Sequence, residues 1–130
     1  MSQFGVQLHA RSKTKGIGNG KRKVQARGKR RREVGNYFSA TRLSDKSVAV
    51  KVRRRGGNAG IRLKDVAVAN LLTKDGYKKA KINSIVESKD NRNFARQNII
   101  TKGTVISTEL GNAKVINRPG RDGCVNARLI

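Results

Sequence analysis

The sequence predicts a mostly β protein, a small antiparallel barrel-like sheet over residues 47–130 preceded by an extended basic arm and linker over residues 1–46. Three observations predict it. The back half alternates apolar and polar side chains at the two-residue period of a half-buried strand. Glycine-centred turn signals recur at short intervals, the punctuation of a small barrel or closed sheet. The front half carries eleven lysines and arginines and no acid between Arg11 and Arg32. That much like charge could not be packed in a core without a large desolvation cost.

Taken in order, the arm comes first. Between His9 and Asn36 the clearly apolar side chains are Ala10, Ile17, Val24, Ala26 and Val34, too few to build a core. Such a segment is expected to be disordered alone and ordered by its partner. Ser47–Arg55 places Val48, Val50 and Val52 on one strand face and Ala49, Lys51 and Arg53 on the other, and Gly56-Gly57-Asn58 breaks it. Residues 61–72 suit either a strand with a bulge near Lys64-Asp65 or a helix, and the valine content favours the strand. Lys79–Val86 alternates through Ala80, Ile82, Ser84 and Val86.

Asp90 is placed to cap a short helical turn over Asn91–Gln97 anchored by Phe94. Thr104–Leu110 and Ala113–Asn117 read as a hairpin around Gly111-Asn112, with glycine at the first central position of a type II′ turn. Arg118-Pro119-Gly120 reads as a type II turn with Gly120 at positive φ. It leads into a last strand, Cys124–Ile130, with Val125, Ala127 and Leu129 inward.

Composition excludes several function classes. The formal charge is +23, from 31 basic and 8 acidic residues, and the first 46 residues hold 13 of the bases and 2 of the acids. A balance this lopsided asks for a polyanion. No apolar run approaches the ~20 residues of a membrane span, the basic tract has no apolar face for a bilayer surface, and the N-terminus does not read as a secretory signal. Cys124 and His9 are the only residues of their kinds, which removes a disulfide, a cysteine zinc site and most acid–base constellations. Gly16-Ile17-Gly18-Asn19-Gly20-Lys21 misses the spacing of both nucleotide-binding loops. The acids are scattered. No catalytic residue, metal, cofactor or small-molecule substrate is therefore expected.

What remains is nucleic-acid binding dominated by phosphate neutralisation, since the residues between the charges are small rather than aromatic. The candidate contacts in the arm are Arg11, Lys13, Lys15, Lys21, Arg22, Lys23, Arg27, Lys29, Arg30, Arg31 and Arg32. Those in the body are Arg53, Arg54, Arg55, Arg92, Arg96, Lys102, Arg118 and Arg121. Arg53-Arg54-Arg55 stands out, because it precedes a bare Gly-Gly turn that permits close approach to a phosphate.

Several motifs occur in one order: Gly20-Lys21-Arg22-Lys23, Lys29 to Gly35, Arg55-Gly56-Gly57-Asn58, Asn98-Ile99-Ile100-Thr101-Lys102-Gly103, and Arg118-Pro119-Gly120 through Val125-Asn126-Ala127. Together they resemble the S8e family of small-ribosomal-subunit proteins shared by archaea and eukaryotes, in its short archaeal-type form. The resemblance spans residues 10–130 and departs at Asn36–Asp45, Arg121 and Cys124. It implies a structural, cytoplasmic protein of the small subunit that binds ribosomal RNA beside neighbouring ribosomal proteins and supports translation and subunit assembly. An RNA chaperone or a chromatin-type packing protein is the alternative with the same chemistry.

Overall fold

From Arg42 onward the alternation of the sequence becomes strand. The computed structural model describes Arg30 and residues 35–130, except for the side chain of Arg55. Two units divide the chain, Met1–Phe38 and Ser39–Ile130. In the first, the described residues are Arg30 and 35–38, none of them in a helix or strand.

The second unit contains strands β1 (Arg42–Leu43), β2 (Val48–Arg53), β3 (Ala59–Val66), β4 (Val68–Thr73) and β5 (Gly76–Glu87), then helix α1 (Arg92–Arg96). Strands β6 (Val105–Thr108) and β7 (Gly111–Val115), helix α2 (Pro119–Asp122) and strand β8 (Asn126–Leu129) complete it. The last five strands close a barrel in the order β4-β5-β6-β7-β8, and the first three form a small sheet in the order β1-β3-β2. The mostly β, barrel-like class expected from the sequence holds. Two pairings are parallel, β4 with β8 at the closing seam and β1 with β3.

Side-chain size explains why five strands suffice. A small barrel must be filled by its own inward residues, which works when small and large ones alternate. Ile106 of β6 faces Ala113 of β7, and Val115 of β7 faces Ala127 of β8. Leu71, Ile106 and Ala113 are all fully buried. Each large aliphatic side chain sealed this way contributes about 1.5–3 kcal/mol.

Bulges set the phase of the longer strands. Pairing of β2 with β3 steps from Val48 opposite Asp65 to Ala49 opposite Leu63, leaving Lys64 as the extra residue. This is the bulge expected near Lys64-Asp65, and residues 61–72 are strand apart from a bend at Ala67, where β3 passes to β4. A second bulge was not foreseen. Pairing of β5 with β6 steps from Ile82–Thr108 to Ser84–Ser107, so Asn83 is extra. The phase flips beyond it, and the pairing steps again from Ile85–Ile106 to Glu87–Val105, leaving Val86 extra. Ile85 packs against the core, while Val86, expected inward, is exposed.

Four local expectations are corrected. Arg118-Pro119-Gly120 is not a type II turn: Gly120 has no positive φ, and Pro119 opens a single helical turn. Proline at the first helical position has no N–H to lose and a preset φ. The positive φ, +74°, belongs to Gly123, the left-handed residue that ends α2. The cap of α1 is Asn91 rather than Asp90, its side chain accepting the Asn93 N–H at 2.9 Å.

The β6–β7 connection centres on Glu109-Leu110, not Gly111-Asn112. Gly111 follows at φ +123°, and the Thr108 hydroxyl donates to its carbonyl at 2.7 Å. Thr73-Lys74-Asp75-Gly76 repeats the device between β4 and β5, with Gly76 at φ +128° and the same 2.7 Å bond. Finally, β2 ends at Arg53. Arg55 therefore does not share a strand face with Arg53 but starts a 3-10 turn, Arg55–Gly57.

Candidate nucleic-acid interface

The body candidates fall into separate groups. The first is built on the β2–β3 hairpin. Arg53 and Arg54 are exposed at the end of β2, and the Arg54 N–H closes the turn on the Asn58 carbonyl at 2.6 Å. Gly56 and Gly57 both take φ near +80° with open space around them, so the turn presents bare backbone. The Arg54 guanidinium lies across Gly60, its Nε only 2.5 Å from where a Cβ at that position would be. Glycine at 60 thus leaves the seat in which this arginine is held.

Helix α2 packs on the same corner. A Cβ on Gly123 would stand 2.7 Å from Cγ2 of Ile61, and one on Gly120 would stand 3.0 Å from the Ser39 Cβ. Arg62 reaches back to the Ser39 hydroxyl at 3.4 Å. Arg118 and Arg121 are carried on this helix, both exposed. Ile61 pairs with Lys51, two residues from Arg53, or ~7 Å along a strand. Hairpin and helix are thus in contact through Ile61 and Gly123, and both carry arginines: Arg53, Arg54 and Arg62 on the hairpin, Arg118 and Arg121 on α2. The local acid, Asp122, accepts the Arg118 backbone N–H at 2.9 Å, so its charge is occupied by the start of the helix.

A second group lies on α1. Arg92 and Arg96 are four residues apart, on one helical face and both exposed. Strand β1 runs beside this region, since Arg42 pairs with Ile99 and the Ile100 N–H donates to the Thr41 carbonyl at 2.8 Å. Lys102 stands apart from both, exposed on the turn where the Gly103 N–H donates to Val115 at 2.8 Å. Arg30 is exposed. The remaining arm candidates, Arg11 through Lys29 together with Arg31 and Arg32, lie outside the described residues, as does the side chain of Arg55.

Arg42 and Arg62, which the structure places beside α1 and against Ser39, were not among the sequence candidates. Arg62 sits between Ile61 and Leu63, and strand alternation alone would have set it on the opposite face from both. Among the described residues no three His, Cys, Asp or Glu side chains gather as a metal site, and no helix is long and apolar enough to cross a membrane. An open recess is lined by Leu43, Ser44, Asp45, Lys81, Ile82, Asn83 and Asn98, where the titratable groups are one carboxylate and one amine.

A closed five-stranded barrel with an arginine-bearing hairpin and a basic one-turn helix on one flank defines a class, the small β-barrel protein with a surface suited to polyanions. Within that class, the chain belongs to the ribosomal protein S8e family, which it matches over residues 9–130. It is 46% identical over 113 residues to small ribosomal subunit protein eS8 of Hyperthermus butylicus, covering 85% of this chain and 83% of that one. Identity to the eS8 protein of Sulfolobus acidocaldarius is likewise 46%, over 85% of this chain and 88% of the relative. For Methanococcus maripaludis it is 37%, over 88% and 91%.

Proposed function

We propose that the chain is a structural constituent of the small ribosomal subunit, in the cytoplasm, that binds folded ribosomal RNA and stabilises it by neutralising phosphates where RNA helices pack. It has no catalytic role in this reading. Membership of the S8e family supports the ribosomal assignment, and the relatives named above are all small-subunit proteins. The observation that supports the mechanism is the packing of α2, which carries Arg118 and Arg121, on the hairpin that carries Arg53 and Arg54, with Gly123 against Ile61. Guanidinium groups on rigid turns suit phosphate, because their paired donors match its oxygens.

Division of labour follows from charge density. The arm, with Lys21-Arg22-Lys23 and Lys29-Arg30-Arg31-Arg32, threads between helices as a polycation. The body, through its hairpin corner, Arg92, Arg96 and Lys102, reads the shape of the folded RNA. Subunit assembly and translation gain from the same contacts, and neighbouring ribosomal proteins share the surface. The test is sedimentation of a cell extract at high magnesium: the protein is expected to run with the small subunit. Sedimentation with free protein, or with DNA, would overturn the assignment.

A further inference from the structure

The barrel wall formed by β7, β8, β4 and the start of β5 carries a further cluster outside the groups described for the interface. Strands β4, β6, β7 and β8 contain no Asp or Glu at all. The pairing register places Lys114 of β7 opposite Arg128 of β8, Arg128 opposite Leu72 of β4, and Leu72 opposite Tyr77 of β5. Residues directly opposite in a ladder share a face. Inward neighbours Ala113, Val115, Ala127 and Leu71 are buried, so this row points outward.

Two features of the row call for a ligand. Lys114 and Arg128 are like charges on adjacent strands, an arrangement that destabilises a sheet unless an anion lies between them. No ion pair among the described residues joins either of them to an acid, whereas Lys78 pairs with Asp75. At the other end of the row Tyr77 is 73% exposed, which places an aromatic face in water with a flat, partly buried leucine beside it. The next row supplies amides. Asn70 Nδ2 donates to Asn126 Oδ1 at 3.0 Å, which ties together two side chains two residues along from Leu72 and Arg128, and Lys79 flanks Asn70.

We propose that this wall binds an unpaired RNA nucleotide, its base stacked on Tyr77 and its flanking phosphates over Arg128 and Lys114. The proposal rests on the reading that the protein binds ribosomal RNA, and it adds a feature of that RNA: a bulge or loop nucleotide rather than a continuous helix. Lys114 and Tyr77 are three strand spacings apart, about 14 Å along the wall. That separation lets one base and its neighbouring phosphates engage together. Single-stranded nucleic acid is recognised in this way, by an aromatic platform beside cations that follow the backbone. A double helix keeps its bases stacked on one another and offers none to Tyr77.

The chain has no tryptophan and two tyrosines, Tyr37 and Tyr77, so the full-length Tyr37→Phe protein reports on Tyr77 fluorescence alone. Titration with an oligoadenylate of about eight nucleotides, within the span that single-strand-binding barrels cover, is expected to quench that emission. A blunt RNA duplex of equal length is expected to leave it nearly unchanged. Tyr77→Ala should lower affinity for the oligoadenylate by roughly five- to hundredfold, and Tyr77→Phe should retain it. Neither should change the melting temperature, because the side chain is exposed.

An unquenched Tyr77 on saturation, equal quenching by duplex, or wild-type affinity in Tyr77→Ala overturns the proposal. Salt-dependent binding to small-subunit ribosomal RNA would then still stand, and only this surface would be reassigned. Loss of that binding in the wild-type protein would instead remove the broader reading.

Discussion

Gly123 is where α2 is pressed onto β3, and its replacement by alanine should be among the most damaging single changes in the body. Two costs add. The residue sits at φ +74° and ψ 7°, where a Cβ crowds the following carbonyl for about 1–2 kcal/mol. The same Cβ would stand 2.7 Å from Cγ2 and 3.2 Å from Cβ of Ile61. These are branch atoms close to the backbone, so they cannot swing away, and overpacking of this kind costs about 1–3 kcal/mol. A total near ~3 kcal/mol would lower the melting temperature of a domain this size by roughly 12–24 °C.

Circular-dichroism melts and urea titrations measure the change directly. A cycle with Ile61→Ala separates its parts. Ile61 is 48% exposed, so trimming it costs modestly by itself. In that background the Gly123→Ala penalty should shrink by the steric share, ~1–2 kcal/mol, and leave the backbone share. If Gly123→Ala melts like wild type, neither the left-handed cap nor the close packing of α2 on β3 holds. If the penalty is the same in both backgrounds, Ile61 is not the obstacle.

Two further predictions separate folding from binding. In Gly60→Ala the new methyl group displaces the Arg54 guanidinium, which is the flexible end of a side chain. Stability should be unchanged or raised by up to ~1 kcal/mol, while RNA affinity falls and an added Arg54→Ala brings no further loss; an affinity equal to wild type would show that the seat does not position a contact. Replacing Arg30, Arg31 and Arg32 together by alanine should weaken RNA binding and leave the melting temperature within the range of ~0.5 kcal/mol expected of surface changes; a large drop in melting temperature would assign these arginines to the fold.

Much of the body was legible because period-two alternation survives wherever one strand face is buried. Val125 and Ala127 turned inward as read, and the conflicting phases of Ile61–Leu63 and Val66–Val68 marked a bulge at Lys64. The bulge at Asn83 was illegible for the opposite reason. Ser84 and Val86 continue the alternation of Ala80 and Ile82 without a break, and only pairing with β6 reveals the inserted residue. In β2, Val48 and Val50 share a face as expected but stay exposed, at 43% and 41%. Alternation reports a common face, not what covers it.

Turn chemistry was read with the right residues in the wrong roles. Pro119 and Gly120 permit a type II turn, and they equally permit a helical turn once Gly123 supplies a left-handed end and Asp122 binds the Arg118 N–H. The two Thr-x-x-Gly hairpins depend on a threonine hydroxyl reaching a glycine carbonyl three residues on, a bond that propensity does not record. For the candidate interface, the sequence supplies a set of arginines but not which elements carry them side by side. The elements that carry Arg53 and Arg118 are far apart in sequence and are joined by the contact of Gly123 with Ile61 and by Ser39, which lies against Gly120 and accepts from Arg62.

Salt dependence tests the central claim most directly. If about 10 cations of arm and body displace counterions from ribosomal RNA, log affinity should fall against log salt with a slope of about −7, taking ~0.7 per contact. The measurement is a titration of full-length protein against small-subunit ribosomal RNA at several potassium chloride concentrations. A slope near −7 that becomes shallower in the Arg30, Arg31 and Arg32 triple variant and in Arg54→Ala is the predicted result. A slope near zero would place the charge away from the RNA and contradict neutralisation as the mechanism.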